Sequence, residues 1–189
     1  MSRQIINIYM AGVGGQGIGL LAEALARAAD YAGFQVAGCD THGLAQRGGV
    51  VTSHLRLGSG VRSPLVEARG ADLVIALERH EALRAVQDFL KPGGTLLYYD
   101  ACWQPLPVRL GQADPVSVED VERACASLEA RCLRVINPAL EDPRMQNTAL
   151  LREIATLGLV PGMTKGHLAA ALADLLEGDL LQRNLDLLT

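Results

Sequence analysis

Two stretches of this chain carry residue types and spacings suited to holding a charged ligand. The first is MAGVGGQGIG (10–19), directly after the apolar run IINIY. Gly12, Gly14 and Gly17 fall at the G-x-G-x-x-G spacing of a turn that cradles phosphate, with Gly15 and Gln16 between them. Glycines at a strand–helix joint allow a tight turn, a close approach of backbone to ligand, and close packing of helix on strand. The N–H groups that open the following helix can then receive an anion. A Walker A loop is excluded, because Ile18 and Gly19 stand where that motif needs Lys and Ser or Thr. A dinucleotide loop survives on spacing, and Asp40, 23 residues beyond Gly17, stands near where a ribose-binding acid belongs. The plain alternative is a tight strand-to-helix joint that binds nothing.

The second stretch is DTHGLAQRGG (40–49), which leads into VVTSHLRL. Here Gln46 and Arg47 precede Gly48 and Gly49, so a cation sits on flexible backbone at the C-terminal end of a strand, where ligands collect in open α/β sheets. A guanidinium donates in a planar fork that suits phosphate or carboxylate. The alternative is an Arg tied to a loop carbonyl or a neighbouring carboxylate. His42 lies in the same loop and is a candidate proton donor; His42, His54, His80 and His167 show no paired metal spacing. His80 and His167 read as solvated helix residues, and LERHEALR as a charged helix face with i,i+3 and i,i+4 pairs. Cys39 reads as a small core residue.

The elements that must position these loops follow from hydrophobic patterning. IINIYMA (5–11) is continuously apolar, as a buried parallel strand should be. The next segment predicts a helix with Leu21, Leu25 and Ala28 inward and Gly33 at its C-terminal cap. Strands follow at 34–39 and 50–57, the first completing a β-loop-α-β unit, then at 71–78 with a helix over 79–90. KPGG reads as a turn before a strand at 95–100, and QPLPVRL as an edge segment, since its prolines cannot donate to a central ladder. Ser117, with Asp120 three residues on, starts a helix to about Ala130, and CLRVIN (132–137) returns as a strand. The C-terminal tail is helical, broken at LVPG. Residues 1–189 thus form one α/β domain of three layers, with a mostly parallel sheet, a Rossmann-like start and a helical C-terminal tail.

Composition narrows the function classes. With 17 basic and 21 acidic residues the net charge is −4, and no basic block is present to neutralise nucleic-acid phosphates. Half the chain is hydrophobic and 20% charged, an ordinary globular balance for a chain able to bury about 70% of its extended surface. Cys39, Cys102, Cys125 and Cys132 are far apart and form no C-x-x-C, so the sequence suggests neither an iron–sulfur nor a structural zinc site. No apolar run approaches the roughly 20 residues of a membrane span. The N-terminus reads as a first strand and not a signal peptide, which points to a cytoplasmic protein.

Taken in order, GVGGQGI, HGLAQRGGVVTSHLRLG and SPLVEARGADLVIALERHEALR resemble the gamma-type subunits of the 2-oxoacid:ferredoxin oxidoreductases. They are most similar to the small (beta) subunits of indolepyruvate ferredoxin oxidoreductases. Weaker likeness continues at NTALL, from Asn147, and near Asn184. The resemblance implies a complex that converts a 2-oxo acid and CoA to acyl-CoA and CO2, using thiamine diphosphate with magnesium, iron–sulfur clusters and ferredoxin. It implies that a large partner subunit holds the thiamine and the clusters, and that this chain binds none of them alone. The chain would complete the active site on its CoA side. The backbone of Gly12, Gly14, Gly15, Gly17 and Gly48, with Gln16, Gln46, Arg47 and Asn147, would face a CoA phosphate or the substrate carboxylate. Two other readings stay open: a freestanding NAD(P)-dependent dehydrogenase, and a non-enzymatic module that senses a nucleotide or CoA.

Overall fold

The structure, a computed structural model, describes residues 5–42, 49–102, 108, 110–111, 114–137, 140, 142 and 145–189. Its centre is a six-stranded sheet of β1 (Ile6–Val13), β2 (Val36–His42), β3 (Val50–Leu57), β4 (Ala71–Ala76), β5 (Leu90–Tyr99) and β6 (Arg131–Val135), in the order β2-β3-β1-β4-β5-β6. β1, β4, β5 and β6 pair in parallel. β3 runs antiparallel to both β1 and β2, so five strands point one way and one is reversed. The expected β-loop-α-β unit is present, but β2 does not lie beside β1: β3 is inserted between them.

Side chains alternate across this sheet and build two cores. Ile8, Met10, Leu55, Ile75 and Leu97 face α1 (Ile18–Tyr31) and three later helices, while Tyr9, Ala11, Val74, Leu96 and Tyr98 face α2 (Arg79–Asp88) and α3 (Val118–Ala126). The three layers follow from that alternation. α1 turns in Leu21, Leu25 and Ala28, all fully buried, and each leucine contributes roughly 1.5–3 kcal/mol on leaving water. It ends where Gly33 adopts φ 78°, with Gly33 N–H donating to Asp30 and Phe34 N–H to Ala29, a paired closure that satisfies the last carbonyls. α3 starts as its sequence predicts: the Ser117 hydroxyl accepts from the Asp120 N–H, and the Asp120 carboxylate accepts from the Ser117 N–H.

Two boundaries differ from the sequence reading. KPGG is not a turn before β5 but an irregular part of it, since the register with β4 passes from Ala71 opposite Leu90 to Leu73 opposite Thr95. Pro92 has no N–H for the ladder and Gly93 takes φ 71°, so the strand bulges there and resumes. The C-terminal tail holds α4 (Gln146–Thr156), then α5 (Lys165–Leu175) and α6 (Gly178–Leu188) as separate helices. Leu176 is extended (φ −129°, ψ 152°), and the break redirects α6 so that Asn184 and Leu188 are buried. Most of the segment read as an edge strand at 104–110 lies outside the described residues. No helix among the described residues is long and apolar enough to cross a membrane.

The LERHEALR segment is also less exposed than a charged helix face should be. Glu78, His80 and Glu81 are all buried. Glu78 caps α2 by accepting from the Glu81 N–H, and its other oxygen meets His80 Nδ1 at 3.2 Å. His80 Nε2 accepts from the Val116 N–H. The Glu81–Arg84 pair expected at i,i+3 is present at 3.5 Å. Burial pushes the Glu81 carboxyl up to about 6, with Arg84 opposing and Glu78 reinforcing the shift. Because folding raises this pKa, the Glu81 contribution to stability is fully present below its unfolded value, near 4.5, and is lost as pH rises through about 6. Glu81→Gln should therefore stabilise the fold at pH 8 by about 1–2 kcal/mol, which raises the thermal midpoint by several degrees, and bring no such gain at pH 4. Melting curves of both proteins across this range check it; an equal effect at both ends would contradict it.

Candidate functional site

The glycine motif forms the joint between β1 and α1. A turn closes from the Gln16 N–H to the Val13 carbonyl at 3.0 Å, and Gly15 (φ 101°) and Gly17 (φ 85°) both take left-handed backbone. Gly17 is the N-cap of α1, yet no side chain caps the helix and no acidic residue stands in its first turn. The first intrahelical bond runs from Leu21 N–H to Gly17 at 3.0 Å, which leaves the earlier N–H groups without helical acceptors. Gly12 is needed for packing: a Cβ there would meet Ile18 at 3.0 Å and the Gln16 side-chain oxygen at 3.1 Å.

Gln16 is 1% exposed and its amide is used inside the loop. Its Oε1 accepts from the Val13 N–H at 2.7 Å, and its Nε2 donates to the Leu77 carbonyl at 3.0 Å. Leu77 in turn donates from its N–H to Ala11 at 3.0 Å, just past the end of β4. The side chain thus fastens the loop to the C-terminal end of the neighbouring strand. Its structural position is that of a brace; the sequence reading had it facing a ligand.

The two glycine motifs meet. β1 pairs with β3 from Ile6 opposite Leu57 to Val13 opposite Val50, which sets the start of β3 beside the end of β1. The Gly14 N–H donates to the Gly49 carbonyl at 2.8 Å and continues that pairing into the loop. Gln46, Arg47 and Gly48 lie outside the described residues, as does the His42 side chain; the described backbone reaches His42 on one side and Gly49 on the other. Asp40, the candidate ribose acid, lies two strands from β1, which is roughly 10 Å of sheet, and accepts from the Ser53 hydroxyl at 2.5 Å. The inserted β3 therefore removes the adjacency that a dinucleotide fold uses to set its acid beside the loop. Cys39 is half-buried on this edge strand and is not a core residue.

The C-terminal helices cover the open side of the loop. A cleft of about 190 Å³ is bounded by Gly15, Gly17 and Leu20 on one side and by Asp142, Met145, Asn147, Leu176, Leu180 and Asn184 on the other. Asn147 is 2% exposed, and its Nδ2 sits so close to Gly17 that a Cβ there would lie 3.0 Å from it. Its Oδ1 accepts from the Thr148 N–H at 2.7 Å, the Thr148 hydroxyl bonds Asn184 Oδ1 at 2.5 Å, and Asn184 Nδ2 donates to the Leu180 carbonyl at 2.7 Å. This chain of bonds aims an amide N–H2 at the rim of the cleft. Leu180, 45% exposed, leaves apolar surface beside it. Thr148 as the link between the two asparagines was not singled out in the sequence, where nothing about a lone threonine in NTALL marks it. Among the described residues, no group of three or more His, Cys, Asp and Glu is placed to hold a metal ion.

Comparisons with known proteins agree with this geometry. A family model described as pyruvate ferredoxin/flavodoxin oxidoreductase matches residues 7–189. The indolepyruvate oxidoreductase subunit IorB of Archaeoglobus fulgidus is 33% identical over 185 residues, covering 95% of this chain and 90% of the relative. The gamma subunit of a keto/oxoacid ferredoxin oxidoreductase from Geobacter sulfurreducens superposes with a TM-score of 0.65 at 22% identity, over 97% of this chain and 94% of that one. The 2-oxoglutarate:ferredoxin oxidoreductase of Magnetococcus marinus, solved with 2-oxoglutarate, coenzyme A and succinyl-CoA bound, superposes with a TM-score of 0.67 at 19% identity; 98% of this chain matches 30% of that longer one. These last two likenesses concern the fold, whereas the family model and the IorB relative span nearly the whole sequence. With its two glycine motifs joined at one rim of the sheet, the chain belongs to the pyruvate ferredoxin/flavodoxin oxidoreductase family, as the small, IorB-like subunit of a 2-oxoacid:ferredoxin oxidoreductase.

Proposed function

We propose that this subunit closes the active site of a thiamine-dependent enzyme that converts an aryl pyruvate, such as indolepyruvate, and CoA to acyl-CoA and CO2 with electrons passing to ferredoxin. The observation that carries the reading is the Gly14–Gly49 hydrogen bond, because it sets the glycine loop beside Gly49, the residue that follows Gln46, Arg47 and Gly48 in the sequence. The indolepyruvate assignment is supported by the IorB relative, and the CoA side by the fold shared with an enzyme solved with CoA bound. Thiamine diphosphate with magnesium and the iron–sulfur clusters are assigned to a large partner subunit, where they would supply the decarboxylation and the electron path.

On this chain, the free N–H groups at the start of α1 and the Asn147 amide present donors at the mouth of the cleft. They suit the phosphate groups of CoA or a substrate carboxylate. Arg47 supplies the charge that polar backbone lacks. Gly15 and Gly17 leave the approach open, since neither projects a side chain into it. Gln16 holds the loop in the shape that aims those groups, and the apolar cleft wall with Leu180 offers cover for the uncharged part of a ligand or of the partner.

Arg47→Ala in the reconstituted complex should raise the KM for CoA or for the 2-oxo acid by about 10- to 150-fold, the loss expected for one charge-assisted bond of about 1.5–3 kcal/mol. Steady-state kinetics with each reactant varied in turn measures this, and unchanged KM values for both would remove Arg47 from the site. Gln16→Glu keeps the acceptor for Val13 but sets a carboxylate oxygen against the Leu77 carbonyl. It should cost on the order of 2 kcal/mol and lower the thermal midpoint by several degrees. A wild-type midpoint would show that the brace does not hold the loop.

A further inference from the structure

The hydrogen bonds that link α6 to α4 run in one direction and end on a donor. The Leu180 carbonyl accepts from Asn184 Nδ2 at 2.7 Å, which turns Asn184 Oδ1 toward Thr148. The Thr148 hydroxyl donates to that oxygen at 2.5 Å, and the Thr148 N–H donates to Asn147 Oδ1 at 2.7 Å. A flipped Asn147 amide would set its N–H2 against the Thr148 N–H, donor against donor, so these bonds fix its orientation. What remains is Asn147 Nδ2. It belongs to a residue 2% exposed, has no acceptor among the described residues, and lies beside Gly17 in the cleft wall. Burying an amide donor without an acceptor is costly, and in a cleft it points to a ligand that supplies one. The Thr148 hydroxyl also lies 3.4 Å from Asn147 Oδ1. Deprived of Asn184, it would turn to that oxygen and draw the amide off its line to Gly17.

The surroundings of this amide favour negative charge. Gly17 opens α1, Asn147 lies in the first turn of α4 and Leu180 in the first turn of α6, so three helix N-termini border one cleft. None of the three carries a side-chain cap, whereas Glu78, Ser117 and Thr164 cap α2, α3 and α5. The N–H groups that open a helix carry partial positive charge. Two acids stand nearby: Asp142 borders the cleft, and Asp179 in the first turn of α6 is largely exposed, 3.8 Å from Arg183. We infer that Thr148 and Asn184 are positioning residues that hold the Asn147 N–H2 toward Gly17, so that the cleft between α1, α4 and α6 takes a phosphate or carboxylate and turns away a cation. This rests on the reading of the glycine loop as a wall that faces CoA or the 2-oxo acid.

The test is steady-state kinetics of the reconstituted complex, with CoA and the 2-oxo acid varied in turn to tell which of them supplies the anion. Asn147→Ala should raise the KM for one of the two by about 3- to 10-fold with kcat little changed. Thr148→Val removes the hydroxyl at nearly the same shape and should raise the same KM by about 2- to 10-fold, while Thr148→Ser restores the wild-type value. In the Asn147→Ala background Thr148→Val should add no further rise, because the group it positions is gone. A residue that only stabilised α4 would instead lower kcat through loss of active complex. An unchanged KM in Thr148→Val, or an effect that adds to that of Asn147→Ala, would overturn the proposal. If Thr148→Val does not fold, Asn184→Ala closes the same cycle with the same expected outcome. Arg47→Ala separates this role from the wider reading. A raised KM there with unchanged values in Asn147→Ala overturns the positioning role alone, and unchanged values in both variants overturn the two together.

Discussion

The reversed strand β3 is the constraint on which the rest of this molecule depends. Were β2 beside β1, as in a dinucleotide-binding sheet, the segment after β2 would end one strand away from the glycine loop. Instead β3 comes back antiparallel between them, and its first residues pair with the last residues of β1. The Gly14–Gly49 bond extends that ladder by one step past the strands. Two motifs more than 30 residues apart in sequence are thereby fixed at one rim by ordinary β-pairing. On the other side of β1 the Gln16 amide does the corresponding work toward β4.

The distribution of buried polar groups points to the same rim. Most of the protein's interior is aliphatic, but Gln16, Glu78, Glu81, Asn147, Thr148 and Asn184 are all nearly inaccessible. They sit at the start of α1, at the start of α2 and in the helices that cover the glycine loop. Burying such groups is costly unless each finds partners, and here they largely find them in one another and in exposed ends of backbone. Away from this rim the described residues show one buried side-chain polar atom without a partner, the Tyr98 hydroxyl.

Much of this was legible in the sequence because the signals are local. The inner stripe of α1, its Gly33 terminus and the Ser117–Asp120 cap depend on spacing within one or two turns, and each is where the pattern sets it. What escaped depends on pairings between distant segments. The place of β3 between β1 and β2 leaves no mark in an apolar run, so Asp40 looked like a ribose acid until its strand proved to be the second neighbour. The burial of His80 and Glu81 was missed because charged residues on a short helix usually face water, whereas here His80 accepts from the distant Val116 N–H and both side chains are buried. The role of Gln16 inverted, from a side chain offered to a ligand to one spent on holding the loop.

Hydrogen–deuterium exchange on the complex of this chain with its large partner subunit, with and without CoA, tests the shared wall most directly. If the glycine loop and the segment joining β2 to β3 act together, peptides covering residues 12–20 and 43–49 gain protection together when CoA is added. Protection confined to the β2 edge or to the α3–β6 face, with both loops exchanging as before, would contradict the account.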